Sequence, residues 1–476
     1  MYCCDTYQAQ RHSSHGVSNL ENYDLVIQDG TLVDPEQATV TAGNIGIRNG
    51  RIARIAAEPL RGGRTLTARD RIVCPGFIDS HAHIDGVRAG AELAVFQGIT
   101  TTVGGNCGIG PVDLGAFFGA LEERGFPINQ VQFVGHSVSL RRCVGLDDPY
   151  RPATPQQIAG MTERAEAAFR AGASGLSLGL EYAPGSSFAE ILALSKIAAR
   201  YGRPVAIHTR VLYKGDLDSL AETFRIAEQS GATVLVSHFV YQYGGGYMAE
   251  ALAMVDGARQ KGLPVAIDSG MYSSFATGIG TPVFSEQAMA EFGWRPEDLL
   301  AATGPYRGQR LSAPLYHELR QQHPNTLIIW RGGDEREIAL PLLRDYAMLS
   351  SDAGSSASGA AHEGHPQCAG NFPRFFRKLV REEGLLPLAQ AVAKCTVTPA
   401  RFLGLEQKGR LREGADADLV VFDDSRITDR SDFPGIGDPV APPEGIDYVI
   451  VAGQVVAQDG RIVPGALPGK PLRAGE

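Results

Sequence analysis

Seven residues in this chain have the side-chain chemistry to hold a metal ion and work beside it. They are His81, His83, Cys107, Glu181, His208, His238 and Asp352. Each lies at or near the end of a short apolar run: IVCPGFIDSHAH (72–83), GITTTVGGNCG (98–108), GASGLSLGLEY (172–182), RPVAIHTR (203–210), ATVLVSHF (232–239) and AMLSSDAG (347–354). Imidazole, thiolate and carboxylate together make the ligand set of zinc, which activates water and polarises a carbonyl. His81 and His83 stand two apart, so on a strand both side chains point the same way and can grip one ion. A single strand-end histidine is more often a satisfied core or turn residue. Four histidines with a cysteine and two carboxylates, spread over six of eight candidate strand ends, do not fit that plainer reading.

These residues need a scaffold that brings distant strand ends together. Two further runs, INQVQFVGHSV (128–138) and LPVAIDSG (263–270), bring the candidate strands to eight. Amphipathic stretches such as TPQQIAGMTERAEAAFRAG and LDSLAETFRIAEQSG lie between them. Eight strands with helical crossovers predict an α/β fold, a (β/α)8 TIM barrel whose strand C-termini converge on one mouth. The connection between the seventh and eighth strands, about 271–346, is too long for a crossover and predicts an inserted subdomain or lid. Residues 23–70 and 405–476 read instead as short alternating strands, with Asp29-Gly30 and Asn49-Gly50 as hairpin signals. They predict a small β-sandwich domain built from both ends of the chain, leaving 71–404 for the barrel and 1–22 as a flexible polar leader.

Composition narrows the partners. A net charge of −9 with no basic run argues against nucleic acid. No stretch has the apolar length of a membrane span, and the first residues lack the apolar core of a secretory signal. Seven scattered cysteines suggest free thiols and the cytoplasm. Residues 105–110 lack the G-x-G-x-x-G spacing of a dinucleotide loop. Gly244-Gly245-Gly246 has no following Lys-Ser/Thr and reads as a flexible active-site loop, with Tyr241, Tyr243 and Tyr247 lining a pocket or lying on the surface.

FIDSHAHID resembles the first-strand signature of the amidohydrolase superfamily, with His208, His238 and Asp352 at its later strand-end positions. GGNCGIG, GLSLGLEYAPG and the tail from HPQCAGNFPRFFRKLVREEG to GRLREGADADLVVFD resemble its N-acyl-D-amino-acid deacylase branch. The resemblance implies that His81 and His83 hold one zinc, His208 and His238 the other, and that Cys107 bridges the two. It implies one tight zinc site, with the second weak or empty. It makes Asp352 the general base, and Glu181 either a ligand or a carboxylate that accepts a ligand's hydrogen bond. Tyr272 matches a substrate-contacting tyrosine, and Tyr182 in GLEYAPG is a further candidate for substrate contact.

The chain departs from the branch in one respect. Val240 and Gln367 stand where the relatives carry a lysine and an arginine for the substrate's α-carboxylate. Either another cation substitutes, with Arg210, Arg141 and Arg142 as candidates, or the substrate lacks that carboxylate. The expected activity is hydrolysis of an N-acyl-D-amino acid or related N-acyl amine, a small-molecule amide. The alternatives are opening of a cyclic amide and, without metal, a scaffold role. A homo-oligomer is compatible with this fold.

Overall fold

The computed structural model describes residues 23–210, 217–354 and 364–475. The expected leader, 1–22, lies outside the described residues. Eight parallel strands follow one another around a barrel: β1 (Phe77–Asp79), β2 (Ile99–Gly104), β3 (Asn129–Gly135), β4 (Gly175–Gly179), β5 (Val205–His208), β6 (Val234–Val236), β7 (Val265–Ser269) and β8 (Ala347–Leu349). Nearly every residue in them is buried, as expected of strands covered on both faces, and this is why they read as apolar runs. Consecutive strands pair in parallel, for example Leu176 with Val205 and Ile207 with Val236.

Between β8 and β1 the described residues form no continuous ladder, and side chains close the seam. Asp79 accepts the Ser351 N–H at 2.9 Å, and Ser80 Oγ donates to the Leu349 carbonyl at 3.1 Å. Beyond the strand ends, Ala82–His83 pairs in parallel with Ala353–Gly354. The rim joint that completes the barrel therefore joins the His83 and Asp352 segments.

The crossover helices carry clear start signals. Helix Pro155–Arg170 begins at a Thr154/Gln157 capping box with proline in its first turn, and helix Phe188–Arg200 begins at a Ser187/Glu190 box. The first buries Met161, Ala165, Ala168 and Phe169 against the barrel. Sealing Met161 and Phe169 from water contributes about 1.5–3 kcal/mol each.

The chain ends make one nine-stranded sheet. Its order runs Arg461–Ile462, Gln454–Gln458, Ile446–Val451, Leu419–Phe422, Ile72–Pro75, Tyr23–Asp34, Thr39–Arg48, Arg51–Ala56, with Gly62–Thr67 also paired to Tyr23–Asp34. Its side chains alternate between two cores. Val73, Leu419, Val421 and Ile450 face the sheet's own core, while Ile72, Cys74, Val420, Phe422, Val449 and Val451 join the core shared with the barrel. The run read as one first strand, 72–83, is thus divided among the end sheet, the barrel and the rim pair Ala82–His83. Ile72–Pro75 serves the end sheet, and the chain passes at Gly76 into β1, where a Cβ would lie 2.2 Å from Thr100 Oγ1. Asn49-Gly50 does turn a hairpin, whereas Asp29-Gly30 is a bulge inside the first strand, tied by the Asp29 N–H to Asn44 Oδ1.

The long connection after β7 carries its own three-stranded antiparallel sheet, in the order Ser274–Gly278, Leu327–Arg331, Leu299–Ala301. With helices Glu286–Phe292 and Ala313–Gln322 it encloses a separate core that includes Phe284, Leu311, Tyr316 and Ile328.

Candidate metal centre

The seven sequence-selected side chains meet at the barrel mouth. His208 is the last residue of β5, and His238 follows β6 by two residues. Cys107 sits in the single turn Asn106–Gly108 after β2. Cys107, His238 and Asp352 adopt left-handed backbone, with φ of 52°, 34° and 51°. Such conformations cost about 1–3 kcal/mol each for a side chain of this kind and persist where the surroundings enforce them. Here the enforcement is visible. His238 N–H donates to the buried Asp268 carboxylate at 2.8 Å, and Asp352 N–H donates to the His81 carbonyl at 2.9 Å. The Cys107 turn is packed so closely that a Cβ on Gly179 would meet the Cys107 carbonyl oxygen at 2.0 Å, and one on Gly105 the Phe133 carbonyl oxygen at 2.1 Å. The glycines of GGNCGIG and GLSLGLEY therefore give the thiol room to face the axis.

The donor atoms form two groups that share Cys107. Those of His81, His83 and Cys107 lie within 4.8 Å of one another, as do those of Cys107, His208 and His238. Cys107 Sγ is 3.3 Å from His81 Nε2 and 3.5 Å from His238 Nε2, and His238 Nε2 is 2.9 Å from His208 Nδ1. Asp352 Oδ1 lies 3.2 Å from His83 Nε2 and 3.4 Å from His81 Nε2. Carboxylates hold the far sides of two rings. Glu181 Oε2 is 2.7 Å from His208 Nε2, and Asp268 Oδ2 is 3.5 Å from His81 Nδ1. That arrangement leaves the inner nitrogens for a cation. Nitrogen and sulfur donors converging from four imidazoles and one thiol fit zinc, in one ion or two.

The charges agree. Burial raises the Cys107 thiol, but His81, His208 and His238 outweigh it and bring it well below its ordinary value. Burial disfavours the imidazolium of His83 and of His208. Even so, Asp352 and Cys107 push His83 up to about 10, and Cys107 with Glu181 pushes His208 up to about 9. Asp352 is raised by burial and lowered more by His83 and the neighbouring histidines, so it stays ionised. A thiolate and carboxylates beside these imidazoles make a site whose charge suits a divalent cation.

The remaining expectations divide. Glu181 Oε2 faces the outer nitrogen of His208. Tyr182 lies on the cavity wall, its ring centroid 4.8 Å from that of His208 and its hydroxyl 3.2 Å from Thr277 Oγ1. Tyr272 does not reach the cavity wall. It is buried edge-on against His365 and Phe433, with the Arg374 guanidinium 4.6 Å over its ring. Arg210 is also absent from the wall, because its guanidinium is held by Glu222 and the Pro184 and Ser186 carbonyls. Arg141 does line the cavity but is clamped to Glu190 at 2.6 Å, and Arg142 sits exposed beside Asp147. Tyr241, Tyr243, Tyr247 and the three glycines 244–246 all line it.

Three important residues escaped the reading from sequence. Asp268, next to last in β7, holds the His238 N–H and stands 3.5 Å from His81 Nδ1. Its only signal was a carboxylate closing the run LPVAIDSG. Asp79 braces the seam to Ser351, and burial pushes its carboxyl up to about 7 against those hydrogen bonds. His365 accepts the Gln367 N–H on Nδ1 and so donates from Nε2 to Ser274 Oγ. Burial drives its pKa down to about 3, which keeps it neutral. The cavity above the cluster measures about 1000 Å³, and the insertion supplies one wall with Phe275, Trp294 and Trp330.

Comparison with known proteins is consistent with this geometry. A model of the amidohydrolase family matches residues 72–456. N-acyl-D-glutamate deacylase from Alcaligenes xylosoxydans xylosoxydans is 33% identical, covering 95% of this chain and 97% of its own. D-aminoacylase from the same organism is 31% identical, over 93% and 96% respectively. The crystal structure of N-acyl-D-glutamate deacylase from Bordetella bronchiseptica, complexed with zinc and a phosphonate that mimics the tetrahedral intermediate, superposes with a TM-score of 0.83. It is 30% identical and covers 95% of this chain and all of its own.

Proposed function

This chain belongs to the amidohydrolase family, and we propose that it is a zinc-dependent deacylase that hydrolyses the amide bond of an N-acyl-D-amino acid or a related N-acyl amine. The observation that carries the reading is one thiolate shared by two histidine groups, with an ionised carboxylate 3.2–3.4 Å from two of those histidines. His81, His83 and Cys107 would hold one ion, and Cys107, His208 and His238 the other. Zinc supplies polarisation of the scissile carbonyl and acidification of water to a pKa of about 7. Asp352 accepts the attacking water's proton and returns it to the leaving nitrogen, as a positioned carboxylate of low pKa can. Glu181 fixes the tautomer of His208, and Asp268 stands 3.5 Å behind His81 Nδ1. Full-length similarity to deacylases supports this reading over ring opening of a cyclic amide, and the intact donor set argues against a metal-free scaffold.

We also propose that residues 23–70 with 405–476, joined by the strand Ile72–Pro75, fold as one unit and the rest of 71–404 as the barrel, and that the protein works in the cytoplasm. No helix of the described residues is long and apolar enough to cross a membrane. The test is zinc content measured alongside a hydrolysis screen of N-acetyl and N-formyl D- and L-amino acids, their amides, and hydantoins. Zinc with turnover of an acyclic N-acyl compound is expected. Turnover of hydantoins alone would replace the reading with cyclic-amide hydrolysis.

A further inference from the structure

The charge on the cavity wall bears on what the substrate can carry. Five carboxylates line it among the described residues (Asp85, Asp147, Glu181, Asp334 and Asp352); outside the histidines of the metal centre the cationic side chains are Arg141 and Arg142. Arg141 is committed within the protein, and Arg142 belongs to the exposed rim. Arg141 is fully buried, with its guanidinium bonded to Glu190, Ser186 and the Asp148 and Arg151 carbonyls. The Arg142 side chain is 72% exposed at the rim and faces Asp147 at 3.6 Å. Three further groups on the wall are neutral. Val240 is apolar, His365 is committed to Ser274 and Gln367 N–H, and the Gln367 amide is used on both sides. Its Nε2 donates to the Asp352 carbonyl at 2.6 Å, and its Oε1 accepts from Tyr241 at 2.7 Å. A carboxylate taken past the rim would lose its water and find, apart from the metal centre, no uncommitted cation among the described residues, which is unfavourable for a buried charge. The opposite wall is a cluster of rings, with Trp294 and Trp330 centroids 4.7 Å apart and Phe275 5.6 Å from Trp330. A volume of about 1000 Å³ stands at the upper end for a small-molecule site.

We propose that the substrate's amine half carries no free carboxylate. The substrate class is an uncharged N-acyl amide, such as an N-acyl amino acid whose carboxyl is amidated or esterified, or a simple N-acyl amine, with an apolar group against the Phe275–Trp294–Trp330 wall. This rests on the site being an amide hydrolase, as proposed above.

The experiment compares kcat/KM of the zinc-loaded protein on matched pairs, an N-acyl-D-amino acid and its carboxamide with the same acyl group. The carboxamide is expected to be better by about tenfold or more, the scale of one lost charge-assisted hydrogen bond. The Gln367→Arg variant is expected to narrow that ratio by raising kcat/KM on the acid. Equal or faster cleavage of the free acid by the unsubstituted protein overturns the inference and leaves the deacylase reading standing. A zinc-loaded protein that cleaves neither member of any pair sinks the deacylase reading itself, and this inference with it. A ratio unchanged in a folded Gln367→Arg protein removes Gln367 from the account and overturns the charge argument at that wall.

Discussion

In the end sheet, the non-glycine residues in left-handed backbone include Asn49, Ala452 and Asp459, each followed by a glycine that is also left-handed and each turning a hairpin. At the barrel mouth they include Cys107, His238 and Asp352, and none of these turns a hairpin. The first set is turn chemistry. Two successive positive φ values match the twist of the flanking strands, and Asn or Asp followed by Gly reaches them at low cost, while Ala452 is held by its N–H bond to Asp418. The second set is held by hydrogen bonds and packing from other strands, and its effect is to aim a thiol, an imidazole and a carboxylate at one point. Conformational strain marks function where local chemistry does not account for it. If this contrast is right, damage at the mouth should remove activity while the fold stays intact, and damage in the end sheet should do the reverse.

The largest effect is expected from Asp352→Asn. Turnover should fall by roughly 10²–10⁴-fold, the usual contribution of a positioned proton-transfer group, with zinc content unchanged. Surviving activity in a zinc-replete variant would remove Asp352 as the base. Cys107→Ala should come next, losing zinc from both groups together with activity, read by elemental analysis of the purified protein. Retention of two zincs per chain would show that the sulfur bridges nothing. Glu181→Gln keeps the shape but weakens the hold on His208, and zinc affinity should drop about 10–100-fold in a chelator competition. In the end sheet, Ile450→Ala empties a fully buried site in the sheet's own core. It should cost about 2–5 kcal/mol in denaturant unfolding while kcat stays at the unsubstituted value. A fall in kcat without loss of stability would break the division between the two regions.

The smallest effect is a pH dependence. His365 has its pKa lowered from 6.5 to about 3 by burial. Between those values the unfolded chain binds the proton and the folded one does not, so stability rises with pH across that window. The contribution is complete above 6.5 and is lost as pH falls toward 3. Unfolding midpoints at pH 5 and pH 7 should therefore differ less in His365→Asn than in the unsubstituted protein.

Much of this molecule was legible because its signals are local. Apolar runs of strand length, alternating with capped amphipathic helices, specify barrel units whatever surrounds them. The residues that end those runs, His81, Cys107, His208, His238 and Asp352, are chemically distinctive enough to mark the mouth. Local pattern could not say that the run 72–83 serves more than one sheet. The hand-over at Gly76 depends on Thr100 and Asp418, which approach only in the folded chain. Nor could it separate Arg210 or Tyr272 from residues that face the cavity. A guanidinium or phenol has the same composition whether it meets substrate or is held by Glu222 or packed under Arg374. The sequence by itself determined the set of donors and the fold able to gather them, since both follow from residue type and period. Only the tertiary structure decided which nitrogen of each imidazole faces inward, which carboxylates stand behind them and which cations are already paired. Those outcomes depend on contacts between residues tens to hundreds of positions apart, and no local pattern encodes them.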